Sequence, residues 1–282
     1  MKTFSMSPSD AERTDEVSCV VCGSVSDRPY WDCGSFGFVR CSACGHVYQN
    51  PQPVFDDLQN RYQDDYFDYE LENDASFLDL MLRGLSDIDF DALTESLPRP
   101  RRFLDVGCAT GALLQHLKTE DWQVEGVEIC VPAAEYGRTV RNVDIHVGTL
   151  DRIEFTQGLF DVVHYSHVIE HVPDPRQFLR DVWQVLRPGG YTIIVTPNTS
   201  GFQAKLFGAR WRSAIADHLN LFSTKNLKRI VLESGFDVVA HRTWGGVAQG
   251  MAPRWIKHPA DRLAKPLGFG DVVLVLAQKP LA

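Results

Sequence analysis

The stretch FLDVGCATGALLQHL, Phe103–Leu117, decides the fold of this 282-residue chain. Its start is a short apolar run that reads as a buried strand, and the residues from Gly111 onward carry apolar positions at helical spacing. Between them, Gly107 and Gly111 mark a turn that lets backbone approach a ligand at the carboxyl edge of a sheet. A dinucleotide loop reads G-x-G-x-x-G. This one reads D-x-G-x-x-x-G, with Asp105 at the strand end. A carboxylate there repels a pyrophosphate and suits an ammonium group.

Working outward, strands and helices alternate to the C-terminus. VEGVEI (Val124–Ile129), DIHVG (Asp144–Gly148), FDVVHYS (Phe160–Ser166), GYTIIVTP (Gly190–Pro197), FDVVAHRTW (Phe236–Trp244) and DVVLVLAQ (Asp271–Gln278) read as strands. VPAAEYGRTV (Val131–Val140), PRQFLRDVWQVL (Pro175–Leu186) and STKNLKRIVLESG (Ser223–Gly235) read as helices, the last with Ser223 as N-cap. This alternation predicts a mostly parallel sheet covered on both faces. Glu128 ends the second strand, where a carboxylate accepts hydrogen bonds from ribose hydroxyls.

Upstream, residues 1–16 are polar and read as a disordered tail. Residues 17–50 hold five of the seven cysteines and read as a small loop-rich unit. Cys19-x-x-Cys22 and Cys41-x-x-Cys44 stand 18 residues apart, each pair followed by a glycine. Four thiolates at this spacing match a zinc ribbon with a closed, structural site; a redox dithiol is the alternative. Residues 51–100 read as a helical linker with an apolar stripe, and Tyr62, Tyr66 and Phe67 lie in it. Residues 101–282 complete the chain, with a stretch near 201–222 in which Phe202, Phe207 and Trp211 wall an apolar pocket or cover the sheet. Arg210 and Arg212 in it would hold a phosphate or carboxylate.

The landmarks LDVGCATG, VEGVE, FDVVHYSHVIEHVPDP and VLRPGGYTIIVTPN, in this order, resemble the class I S-adenosylmethionine-dependent methyltransferases over roughly residues 100–280. The resemblance implies a doubly wound α/β fold with a mostly parallel seven-stranded sheet, five strands parallel and the last pair including an antiparallel one. It implies S-adenosylmethionine as cofactor. Asp105, Gly107, Cys108 and Gly111 would line its methionine end, and Glu128 would hold the ribose. Ile129 would pack on the adenine, Thr149 and Leu150 would border it, and Ser166 would offer a backbone contact. A zinc ribbon followed by NPxP and a tyrosine-rich helix is similar to small-molecule methyltransferases of biosynthetic clusters. That likeness implies that residues 51–100 form a helical lid whose Tyr62, Tyr66 and Phe67 cap the cofactor, with a core stripe as the alternative. It also implies that the insertion near 201–222 holds the acceptor.

The segment FDVVHYSHVIEHVPDP, Phe160–Pro175, contains the pattern H-x-x-E-H at His167, Glu170 and His171. A metalloprotease needs that pattern on a helix, and the strand before it and Pro173 after it exclude one. His171 and His218 are the candidates for a general base acting on a hydroxyl acceptor, with Glu170 beside them. A structural histidine is the plain alternative. The segment is also similar to the E-x-x-E-H of methyltransferases that bind a divalent cation. By that likeness His167, Glu170, His171 and His218 would hold a second metal such as Fe²⁺, Mn²⁺ or Zn²⁺. His164, inside the strand, reads as core.

Composition is that of a globular protein, 44% hydrophobic and 23% charged, with a net charge of −9. The acidic balance argues against a nucleic-acid binder. No signal peptide or apolar run of membrane length is visible, and the free cysteines fit a cytoplasmic setting. Charge is uneven: residues 56–97 carry 13 acids and 2 bases, and residues 201–270 carry 11 bases and 4 acids. Either these stretches are solvated or mutually paired, or the basic one meets an anionic or nucleotide-linked small-molecule substrate. Methylation of a small-molecule hydroxyl is the reading that emerges. An RNA or protein methyltransferase reading through the ribbon, and a non-catalytic cofactor-binding partner, are the alternatives. The sequence does not set the oligomeric state.

Overall fold

The computed structural model describes residues 13–59, 61, 64–245 and 268–281. Residues 1–12 of the expected tail, Tyr62 of the expected lid and residues 246–267 of the basic stretch lie outside the described residues.

Two sheets carry the architecture. The smaller contains β2 (Asp27–Asp32), β3 (Gly37–Cys41), β4 (Val47–Gln49) and β11 (Asn220–Leu221) in the order β11-β4-β3-β2. A short ladder joins β1 (Thr14–Asp15) to β5 (Gln52–Pro53), so residues expected in the tail are paired instead. Three helices follow: α1 (Phe55–Gln59), α2 (Asp64–Ser86) and α3 (Phe90–Glu95).

The larger sheet contains β6 (Arg101–Val106), β7 (Trp122–Glu128), β8 (Asp144–Val147), β9 (Phe160–Ser166), β10 (Leu186–Pro197), β12 (Asp237–Trp244) and β13 (Val272–Gln278). Its order is β12-β13-β10-β9-β6-β7-β8. β13 runs antiparallel to both neighbours; the ladders among β6 to β10 are parallel. The expected doubly wound seven-stranded sheet is therefore present. One detail differs: the strand expected from Gly190 starts at Leu186, so LRPG opens β10, whose register slips between Leu186 and Tyr191.

Alternation along the strands feeds two cores, because successive side chains point to opposite faces. Leu104, Val106, Val163, Tyr165, Ile194 and Val275 pack with α6 (Pro175–Val185) and α8 (Thr224–Glu233) through Leu179, Val182, Leu227 and Ile230. Phe103, Val162, Ile193, Leu274 and Leu276 pack on the other face with α4 (Ala112–Lys118), α5 (Val131–Val140), α2 and α3. Helix ends follow their chemistry. Asp174 accepts from the amides of Arg176 and Gln177 ahead of α6, and Ser223 accepts from Asn226 at the start of α8.

The order reverses at β6, which has β9 on one side and β7 on the other. In such sheets ligands bind outside the carboxyl ends of the strands at that switch point. The insertion between β10 and α8 carries α7 (Phe202–Phe207) and then β11, which joins the small sheet. Among the described residues no helix is long and apolar enough to cross a membrane.

Candidate functional site

A cavity of about 1000 Å³ opens at the carboxyl edge of the large sheet, under α2 and beside the insertion. Its cofactor-side wall is the turn after β6 and the ends of β7 and β8. Asp105, Gly107, Cys108, Glu128, Ile129, Thr149, Leu150 and Ser166 all line it. Gly111 does not: a Cβ there would meet Val143 at 2.8 Å and Ile145 at 3.1 Å, so this glycine serves helix–strand packing. Gly107 has φ +71°, and a Cβ would stand 2.4 Å from the Val168 side chain. Only glycine fits both demands.

Two buried carboxylates define this end. Glu128 accepts from the amides of Ala109 and Cys130, both at 2.8 Å, which ties the glycine turn to the end of β7. Ala109 reaches this position with φ 47°, a conformation rare outside glycine. Asp105 is held by His164 Nδ1 at 2.7 Å, with both side chains almost fully buried. The histidine that sequence assigned to the core is therefore the anchor of the first carboxylate. Sequence gave no sign of this pairing, because it spans adjacent parallel strands 59 residues apart.

Helix α2 adds a third carboxylate that sequence did not single out. Glu70 on α2 lines the cavity with Tyr66 and Tyr69. Burial, then the charges of Glu128 and Asp74, push its carboxyl up to about 8 despite a hydrogen bond from Tyr66. Negative charge here exceeds its compensation, which is the electrostatics of a site for a cationic ligand with hydroxyls to donate. S-adenosylmethionine fits that set of acceptors and a pyrophosphate does not. Phe67 faces elsewhere and rests on Tyr136 at 5.8 Å between ring centres. Asp74 latches α2 to the glycine turn. It accepts from Thr110 Oγ1 at 2.6 Å and pairs with Arg141 at 2.7 Å.

The opposite end holds the histidines. His171 Nδ1 lies 2.8 Å from the Asp217 carbonyl and His218 Nδ1 lies 2.8 Å from the Ser213 carbonyl. A carbonyl only accepts, so each ring donates from Nδ1, and the neutral ring has its lone pair on Nε2. The two rings meet edge to face at 4.7 Å. Burial, then the neighbouring His171, press His218 down to about 3.

Glu170 is fully buried and stands behind the wall, not in it. Its oxygens accept from Thr196 at 2.8 Å and face His167 Nδ1 at 3.0 Å. Burial raises its pKa, but the His167 hydrogen bond and the surrounding imidazoles prevail and hold it at about 2. Glu170, His171 and His218 bring one ligand atom each within 4.8 Å of one another; His167 stands outside that trio and touches only Glu170 among them. His167 also carries φ 57°, a strained backbone at the rim of the site.

Phe207 and Trp211 do not wall the cavity. They pack with Trp31, Phe38 and Leu221 between the insertion and the small sheet, while Phe202 is exposed. Arg212 does line the cavity, paired with buried Asp271 at 2.8 Å; Arg210 is exposed. The four cysteines Cys19, Cys22, Cys41 and Cys44 cluster at one end of the small sheet with their sulfurs within 4.8 Å of one another. Cys19–Cys44 and Cys22–Cys41 are 3.5 and 3.6 Å apart. A tetrahedron with zinc–sulfur bonds of about 2.3 Å has edges of about 3.8 Å, so the four sulfurs fit a zinc ion.

Comparison with known proteins agrees with this geometry. A family profile described as a methyltransferase domain matches residues 83–241. The chain is 35% identical over 105 residues to a ubiquinone biosynthesis O-methyltransferase of Parvibaculum lavamentivorans, covering 34% of this chain and 40% of that protein. It is 27% identical over 178 residues to the Xanthomonas oryzae protein of the same description, covering 60% of this chain and 70% of that one. The chain thus spans less than half the length of the first of these relatives. An S-adenosylmethionine-dependent methyltransferase of Archaeoglobus fulgidus superposes with a TM-score of 0.54 at 18% identity, over 77% of this chain and all of that one. That likeness establishes the shared fold.

Proposed function

Since this chain belongs to the methyltransferase-domain family and has the class I S-adenosylmethionine-dependent fold, we propose that it methylates a hydroxyl oxygen of a small-molecule acceptor. S-adenosylmethionine supplies an electrophilic methyl group on a sulfonium. Asp105 would take its ammonium and Glu128 its ribose hydroxyls, with Ile129, Thr149 and Leu150 around the adenine. Asp105 and Glu128 are already oriented by His164 and by two backbone amides, so binding costs little reorganisation.

One observation carries the choice of acceptor chemistry: an imidazole pair with Nε2 as acceptor lines the same cavity as those carboxylates. A hydroxyl must lose its proton as it attacks carbon. His171 is the proton acceptor in this reading. The ionised Glu170 behind it stabilises the imidazolium, and His218, kept neutral by burial, orients the ring. The relatives described as O-methyltransferases support oxygen over nitrogen or carbon. The protein's main contribution is alignment with water excluded, for which α2 is the cover.

Replacing His171 with Ala is expected to lower turnover by about 10²- to 10⁴-fold and leave cofactor affinity by calorimetry unchanged. The assay follows a labelled methyl group into an ether product across a panel of hydroxyl acceptors. Undiminished turnover would remove the base. A second reading has its own support, since Glu170, His171 and His218 present one carboxylate and two imidazoles at metal-site spacing. Activity that survives EDTA favours the simple base; activity lost and then restored by Mn²⁺ or Fe²⁺ favours the cation. A structural zinc at the four cysteines belongs to the same proposal.

A further inference from the structure

Residues 213–221 carry His218 and the carbonyl that orients His171, yet the stretch before β11 is largely irregular. Such a stretch has no ladder of its own, so its carbonyls need donors from outside. Four consecutive ones find them. Ala216 and His218 both accept from the side-chain amide of Gln49, each at 2.8 Å. Asp217 accepts from His171. Leu219 accepts from the backbone amide of Gln49 at 2.9 Å and from Gln52 Nε2 at 3.3 Å. Beyond them, Asn220 and Leu221 pair with Tyr48 and Val47.

Gln49 is 2% exposed and ends β4 of the cysteine-bearing sheet. The knuckle sets the start of β4, since the Cys41 amide donates to the His46 carbonyl at 2.9 Å. From the lid side, Arg61 forms an ion pair with Asp217, both side chains 8% exposed. Asn220 also donates to Val172 at 2.9 Å, just past His171.

We propose that the cysteine-knuckle sheet is an internal splint for the acceptor end of the cavity, with Gln49 as its positioning residue and Arg61 as the brace from the lid. Gln49 lies outside the cavity lining, while Arg61 lines the cavity and braces Asp217 there; what the two histidines then do rests on the function proposed above. Gln49 suits the task because one nitrogen carries two N–H donors for two carbonyls. A glutamate would set lone pairs against both, and an aliphatic chain would orphan both. The role differs from a reader of macromolecules: the ribbon spends its sheet edge, its buried glutamine and its aromatic ring Trp31, 6.1 Å from Trp211, on this chain's own insertion.

The test compares Gln49→Met, which removes both donors at similar volume, with Arg61→Gln, which releases the brace without altering the ribbon. Hydrogen–deuterium exchange is followed over residues 213–221, with kcat, cofactor KM and calorimetric cofactor affinity measured on the same samples. Both variants are expected to exchange at least about tenfold faster in that segment, from the loss of buried hydrogen bonds. kcat is expected to fall about tenfold with cofactor KM and affinity unchanged. Unaltered exchange in Gln49→Met overturns the splint whatever the activity. Faster exchange with undiminished kcat overturns the positioning role. If Gln49→Met does not fold, exchange in Arg61→Gln decides, and unaltered exchange overturns the splint; Arg61 lines the cavity, so a fall in its kcat also follows from lost direct contact. Should His171→Ala and His218→Ala both retain full turnover, the proton-acceptor reading fails, and the exchange result still judges the splint.

Discussion

The two ends of the cavity are built in different ways. The cofactor end is made from strand ends and the turns after them: Asp105 and Glu128 close β6 and β7, and Thr149 follows β8. Each lies where parallel strands must stop, so the sheet alone brings them together. The acceptor end is gathered from separate segments. His171 follows β9, His218 comes from the insertion, Arg61 precedes α2, and Gln49 ends the small sheet. No backbone ladder of the large sheet positions these groups. Buried side-chain donors and an ion pair do so. The first end is rigid by topology and the second by contacts that single substitutions remove.

The largest effect is expected from breaking the first end. Glu128→Ala deletes the proposed ribose acceptor and also orphans the amides of Ala109 and Cys130. Hydrogen bonds to a charged group contribute about 1.5–3 kcal/mol each, so cofactor affinity should fall by about 10²-fold or more in calorimetry. A variant that binds the cofactor as tightly as the parent would show that this end is not the cofactor site. Exchange over residues 213–221 should not change, because that segment hangs on the other end.

The reciprocal experiment is Cys41→Ser. Metal analysis of the parent is expected to find one zinc per chain, and the variant none. Turnover should drop about tenfold as the β4 edge loosens, a loss of buried hydrogen-bond geometry, while cofactor affinity holds. Cofactor affinity that falls with the metal would erase the distinction between the ends. A parent without zinc would remove the ribbon's metal.

This difference explains what the sequence displayed. The glycine turn, the acidic strand ends and the alternating elements are local patterns, so the large sheet was legible, and eight of the nine positions expected at the cofactor line one cavity. Gly111 stands outside that lining and packs against Val143 and Ile145, and in sequence a glycine needed for packing and one needed for a ligand look alike. His164 was placed in the core correctly, but its partner Asp105 lies on the adjacent strand, and no spacing rule joins them. Gln49 has no motif at all. Arg61 and Asp217 did leave a signal: one is among 2 bases in an acidic stretch, the other among 4 acids in a basic one. The two charged stretches do pair, through the minority charge of each.

The smallest predicted effect tests where the two ends meet. Glu70 belongs to the lid yet is perturbed by Glu128, and its carboxyl sits at about 8 against about 4.3 for an ordinary glutamate. Between those values the folded protein keeps a proton that the unfolded chain has released. The folded state then binds more protons, so stability falls as pH rises through that window. Glu70→Gln removes the term: its melting temperature relative to the parent should climb from pH 5 to pH 8 and stay level below pH 4. Cofactor binding should couple to the same group. A bound cation favours the ionised carboxylate, so the parent should release a proton on binding below pH 8. Calorimetry in buffers of different ionisation enthalpy reads that proton directly. Glu70→Gln should lose the release and only a few-fold in affinity, since a neutral amide keeps the shape of the carboxyl and part of its hydrogen bonding. Equal proton release by both proteins would place the coupling on Asp105 or Glu128 and confine the lid to the acceptor end.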